Sequence, residues 1–148
     1  MIFDHIGVVV RDPAEGRRVL SNVLGLNRWT PLIEDSVNEV AVQFLSAGSG
    51  PVYELVAPLG DKSPVAKALA EGVNLLNHVA YRVPDLAVAA RRMRAERCGP
   101  VDRPKPAIAY GGRPIQFFIT PLRLIVELIE APGHEHDFAV ESTVSRFV

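Results

Sequence analysis

Apolar and polar positions alternate near the start of the chain and again near its middle, and each run leads into a helical pattern. Asp4-His5-Ile6-Gly7-Val8-Val9-Val10-Arg11-Asp12 reads as a strand that ends on a helix cap. Pro13 follows in the favoured first helical position, and Asp12 with Glu15 fits a capping box. The helix is expected to bury Val19, Leu20, Val23 and Leu24 on one stripe and to stop at Gly25. At an offset of 73 residues the pattern returns as Asn77-His78-Val79-Ala80-Tyr81-Arg82-Val83-Pro84-Asp85. A second helix then carries Leu86, Ala89, Ala90 and Met93 up to Gly99-Pro100. Val37 to Leu45 alternates as a strand with Val40, Val42 and Phe44 on one face, and Pro114 to Thr120 is its counterpart. Val52–Val56 and Ile125–Ile129 are β-rich apolar runs, each with one acid at its centre.

Each half therefore reads strand, helix, three strands. Such a half cannot close its own core, so two of them should share one. The expected fold class is α+β: two tandem βαβββ modules forming a shared, strongly curved eight-stranded sheet around a metal site. The modules would span about 1–60 and about 75–130 of a single domain. A linker helix at about 63–72 would join them, with its helical run at Val65–Glu71, and a tail would follow at 131–148.

Composition narrows the function classes. With 48% apolar residues in 148, the chain can bury a single core. A net charge of −1 supplies no electrostatic grip on nucleic acid or anionic lipid, so neither is an expected partner. Arg91, Arg92, Arg94 and Arg97 read as the solvated face of a helix. No run approaches the roughly 20 apolar residues that span a bilayer. Cys98 is alone, which excludes an intrachain disulfide, and Met1–His5 lacks a signal-like start. A cytoplasmic setting is the expectation, with Cys98 a small hydrophobe.

The candidate chemistry lies in the repeat. His5 to Glu54 spans 49 residues, and His78 to Glu127 spans 49 again. Glu54 shares a strand face with Val52 and Val56, and Glu127 with Ile125 and Ile129. An ionised carboxylate in such surroundings is costly unless it is paired or holds a cation. Two imidazoles with two carboxylates suit one divalent ion such as Co²⁺, Zn²⁺, Ni²⁺, Mn²⁺ or Fe²⁺, with Mg²⁺ a harder alternative. Four protein ligands leave an octahedral ion with open positions. His134 and His136, beyond the last strand, read as surface residues of a polar tail.

These motifs resemble the vicinal-oxygen-chelate superfamily of glyoxalases, extradiol dioxygenases and resistance proteins. Within it the chain is most similar to the methylmalonyl-CoA epimerases. The most specific stretch is Tyr53-Glu54-Leu55-Val56-Ala57-Pro58-Leu59-Gly60-Asp61-Lys62-Ser63-Pro64-Val65-Ala66-Lys67, joined by His78-Val79-Ala80 and Tyr110-Gly111-Gly112. The family usually has His-His where this chain has Asn77-His78, the ligand being the second of the pair. The resemblance implies metal ligands at His5, Glu54, His78 and Glu127 and a catalytic base at Glu39. The implied reaction is epimerisation of a 2-substituted malonyl-CoA thioester by proton abstraction at C2 and enolate stabilisation. Glu127 would return a proton on the other face, and the protein would be a homodimer acting on an acyl-CoA-type substrate. The alternatives are a glyoxalase-type isomerase or lyase and a non-catalytic small-molecule binding protein of the same fold. Thr120-Pro121-Leu122-Arg123 argues against the first, since it lacks that group's Asp-Pro-x-Gly turn, and the complete ligand set argues against the second.

Overall fold

The computed structural model describes residues 1–73, 75–138 and 140–141. Strand β1 (Ile2–Val9) leads into helix α1 (Pro13–Leu24), followed by β2 (Arg28–Trp29), β3 (Ile33–Asp35), β4 (Val40–Ser46) and β5 (Tyr53–Pro58). Helix α2 (Ala66–Glu71) links to β6 (Leu76–Arg82), α3 (Leu86–Ala95), β7 (Gly99–Pro100) and β8 (Lys105–Ala107). A 3₁₀ turn (Ile108–Tyr110), β9 (Arg113–Ile119), β10 (Ile125–Ile129) and β11 (Val140–Glu141) complete the order.

All the strands belong to one mixed sheet, with β11-β2-β4-β5-β1-β6-β10-β9-β7 in order across it, β3 on β4 and β8 on β9. The expected α+β repeat of strand, helix and three strands is present. The second strand of each module is broken in two: β2 and β3 both pair with β4, and β7 and β8 both pair with β9. In the first module the break falls at Thr30-Pro31-Leu32, where proline cannot donate to the ladder. These breaks and the tail strand β11 are what enlarge the eight expected strands.

Sequence periodicity sorts the two faces. Tyr53 and Leu55 on β5 pack towards α1 with Leu26 and Leu45, while Val126 and Leu128 on β10 pack beneath α3 with Leu86, Ala89 and Phe118. The alternate residues Val42, Phe44, Val56, Ile115 and Ile129 form a third cluster, on the face opposite α1 and α3. Glu54 and Glu127 belong to that face by period two.

Asp12 accepts from the Ala14 amide and Asp85 from that of Val88, as expected of N-caps, and Gly25 ends α1 at φ 69°. Four local expectations need correction. Glu15 pairs with Arg18 at 2.8 Å, so it does not close a capping box. The α1 stripe is not core: Leu20 packs inward, but Val23 is 71% exposed. Helix α3 stops at Ala95, turned by a left-handed Arg97, and Gly99-Pro100 is a strand. Val37–Glu39 is a turn that precedes β4, because Asp35 accepts the Val37 and Asn38 amides and curls the chain.

Candidate metal centre

The repeat becomes a site through the pairing of β1 with β6. The two strands are antiparallel, and Ile6 lies opposite Val79, its own equivalent at the 73-residue offset. The pseudo-twofold axis therefore passes beside both histidines. Gly7 lies opposite His78 and His5 opposite Ala80, which puts both imidazoles on one face. The neighbouring strands extend the two rungs. One runs Phe44, Glu54, Gly7, His78, and the other Phe117, Glu127, Ala80, His5. A small residue separates histidine from glutamate on each rung, so the four side chains lean towards one another above Gly7 and Ala80.

The structure thus brings together His5, Glu54, His78 and Glu127, all buried. The two Nε2 atoms are 3.1 Å apart. Glu54 Oε2 lies 3.1 Å and 3.3 Å from the imidazoles of His5 and His78, and Glu127 Oε2 lies 3.2 Å and 3.1 Å from the same pair. The Phe44 and Phe117 rings wall the site edge-on, at 5.3 Å from His5 and 5.2 Å from His78.

Two residues outside the expected set fix the imidazoles. The β1–β6 pairing skips Asp4 on one strand and Asn77 on the other. Such a bulge re-aims a side chain. Asp4 Oδ2 takes His5 Nδ1 at 2.7 Å, and Asn77 Oδ1 takes His78 Nδ1 at 2.9 Å. Both oxygens can only accept, so each Nδ1 carries the proton and each Nε2 turns a lone pair inward. Two imidazole lone pairs and two carboxylates then face one another within a few ångströms, and Glu127 Oε2 accepts no hydrogen bond. This donor set demands positive charge at its centre.

Protons or a metal ion can supply that charge. Burial would lower the His5 pKa, yet the Glu54 charge, with Asp4 and Glu127, holds it well above the ordinary 6.5. His78 is likewise raised against its burial, by Glu127 and Glu54. Glu54 is pulled down to about 2 despite its burial, by His5 and His78. One divalent ion would serve the same four atoms with the outer partners already in place, and the residues fit it on that ground.

The centre floors a cavity of about 460 Å³, which Glu54, His78 and Glu127 line from below and Val40, Val56, Ala107 and Ile115 from the sides. Glu39 lines the same cavity from the β3–β4 turn. Its backbone is left-handed at φ 56°, and its carbonyl accepts from the Leu59 amide at 2.9 Å. Few residues other than glycine adopt that conformation, and those that do cluster at functional sites. The reading of His136 as a surface residue is overturned: its ring stacks on Phe44 at 4.0 Å, and its Nε2 lies 2.9 Å from Asp4 Oδ2. His134 sits 4.6 Å from the Tyr110 ring and is half-buried. Sequence reasoning missed Asp4, Asn77 and His136, although the first two stand one place before each histidine in the repeat.

Comparison with known proteins identifies the family of the chain. Residues 4–117 match the family model described as the Glyoxalase/Bleomycin resistance protein/Dioxygenase superfamily, and the chain belongs to that superfamily. An ethylmalonyl-CoA/methylmalonyl-CoA epimerase of Cereibacter sphaeroides is 27% identical over 115 residues, covering 77% of this chain and 84% of the relative. A mitochondrial methylmalonyl-CoA epimerase of Dictyostelium discoideum is 27% identical over 117 residues, covering 77% and 68%. The crystal structure of methylmalonyl-CoA epimerase from Mycobacterium tuberculosis superposes with a TM-score of 0.71 at 25% identity, covering 86% of this chain and 85% of that one.

Proposed function

We propose that this chain is a metal-dependent epimerase of a 2-substituted malonyl-CoA thioester, with methylmalonyl-CoA as its reference substrate. The observation that carries the reading is the inward-facing set of His5, Glu54, His78 and Glu127 at the floor of a cavity whose wall also holds Glu39. The similarity to epimerases of methylmalonyl-CoA and ethylmalonyl-CoA supports it. These four residues would hold one divalent ion, which supplies a positive charge for the negative charge that builds on a thioester oxygen as C2 loses its proton. Glu39 removes that proton. Glu127, on the floor of the same cavity, takes up a proton from solvent and returns it to C2 from the other face, while Glu39 gives its proton up to solvent. Epimerisation needs an acid/base group for each face of the carbon. The functional form in this reading is a homodimer, checked by light scattering.

The Glu39→Gln variant tests the assignment. Its ion content should equal that of the wild type while turnover falls by roughly 10²–10⁴, the scale of a lost general base. Near-normal epimerisation by that variant removes Glu39 from the mechanism. Purified wild-type protein without a divalent ion, and with activity indifferent to chelator, removes the metal.

A further inference from the structure

Residues 131–138, which follow β10, stay beside the site. Arg82 Nη1 donates to the Pro132 and His134 carbonyls at 2.9 Å each, and its Nε pairs with Asp4 Oδ1 at 3.0 Å. One guanidinium therefore ties the C-terminal segment to the residue that holds His5. His136 Nε2 donates to Asp4 Oδ2 at 2.9 Å, while its ring stacks on Phe44 and Phe138 packs on the third cluster. Tyr110 adds a hydroxyl to the same oxygen at 2.6 Å. Asp4 is thus a buried carboxylate with both oxygens engaged, and one of them is spent on His5.

The repeat does not extend to this arrangement. At the equivalent place His78 Nδ1 meets the neutral amide oxygen of Asn77, and the position 73 residues before His136 is Ser63, on the loop ahead of α2. A carboxylate that accepts from an imidazole N–H makes the opposite nitrogen a stronger donor than an amide does. The two histidines are therefore unequal ligands, and the C-terminal segment sits on the stronger one.

Resting on the metal reading above, we propose that His136 is a positioning residue of the metal centre. With Arg82 and Tyr110 it orients the Asp4 carboxylate, so that the segment 131–138 forms the outer shell of His5. Affinity for Co²⁺ and Zn²⁺, measured by chelator competition on the full chain, tests this in His136→Phe and His136→Gln. Phenylalanine keeps a ring against Phe44 but offers Asp4 nothing, whereas glutamine can still donate an N–H. The Phe variant should bind about 10–100-fold more weakly, the cost of a lost outer-shell partner, and the Gln variant should recover most of that loss. Metal-free melting temperatures of the two variants should match. Unchanged affinity in the Phe variant overturns the inference. So does equal weakening of both variants in step with a lowered metal-free melting temperature, which marks a merely structural residue. Wild-type protein that takes up neither ion overturns the metal reading itself, and the same titration reveals that before any variant is compared.

Discussion

Gly7 and Ala80 occupy equivalent places in the two halves, each between a histidine and a glutamate on one rung of the sheet. They are not interchangeable. A Cβ on Gly7 would stand 2.1 Å from His78 Cε1, so the bare backbone is what lets that imidazole lie over the strand. Gly7→Ala should push the ring aside at an overpacking cost of about 1–3 kcal/mol, read as a lower melting temperature and at least tenfold weaker ion affinity. Wild-type affinity in that variant would show that His78 needs no such clearance. At this scale the four side chains that meet in the cluster were legible because a His pair and a Glu pair recur at one offset. Asp4 and Asn77 were not, because neighbours on a regular strand face opposite ways and only a bulge turns them together. His136 was hidden for another reason: a polar run after the last strand carries no signal of where it packs.

Among the elements, the β3–β4 turn supplies one part of the cavity wall, through Val37, Asn38 and Glu39. Asp35 is buried and accepts the amides of Val37, Asn38 and Ile108 as well as Asn38 Nδ2. Asn38 Nδ2 also donates to the Pro106 carbonyl at 2.8 Å. The turn from the first module is thereby clasped to the β8 end of the second, and Glu39 is held beside it in its left-handed conformation. Asp35→Ala should destabilise the protein by on the order of 3 kcal/mol, since it removes several charge-assisted hydrogen bonds from part-buried amides. Turnover should fall further than the stability loss explains, because Glu39 loses its fixed backbone. Full specific activity in the folded fraction would contradict that coupling. Helix starts were readable from Asp12-Pro13 and Asp85, where one side chain caps the first turn. The turn at Val37–Glu39 was not, since alternation continues through it and only the Asp35 hydrogen bonds break the strand. The α1 stripe was misread because helical periodicity says which residues share a face, not whether anything covers it.

For the molecule as a whole, the repeat was legible as two modules, and the pairing of β1 with β6 turns it into a single site. That centre also links stability to pH. His5 has its pKa raised in the metal-free fold, so its contribution is full below the unfolded-state value and is lost as pH rises through the raised one. Glu54 is lowered to about 2, so its contribution is present above the ordinary carboxylate range and is lost only as the pH falls towards that value. Metal-free protein should therefore melt at progressively lower temperature as the pH is raised above neutral, while ion-loaded protein holds its melting temperature across the same range. Identical pH profiles with and without ion would contradict the linkage. The central claim is that the cavity removes and returns a proton at C2 of a malonyl-type thioester with the help of a bound ion. Methylmalonyl-CoA incubated with the enzyme in deuterium oxide and followed by NMR tests it most directly. The account predicts deuterium at C2 with ion-loaded protein and its abolition by a chelator. No exchange with ion-loaded protein, or exchange that survives complete removal of the ion, would contradict it.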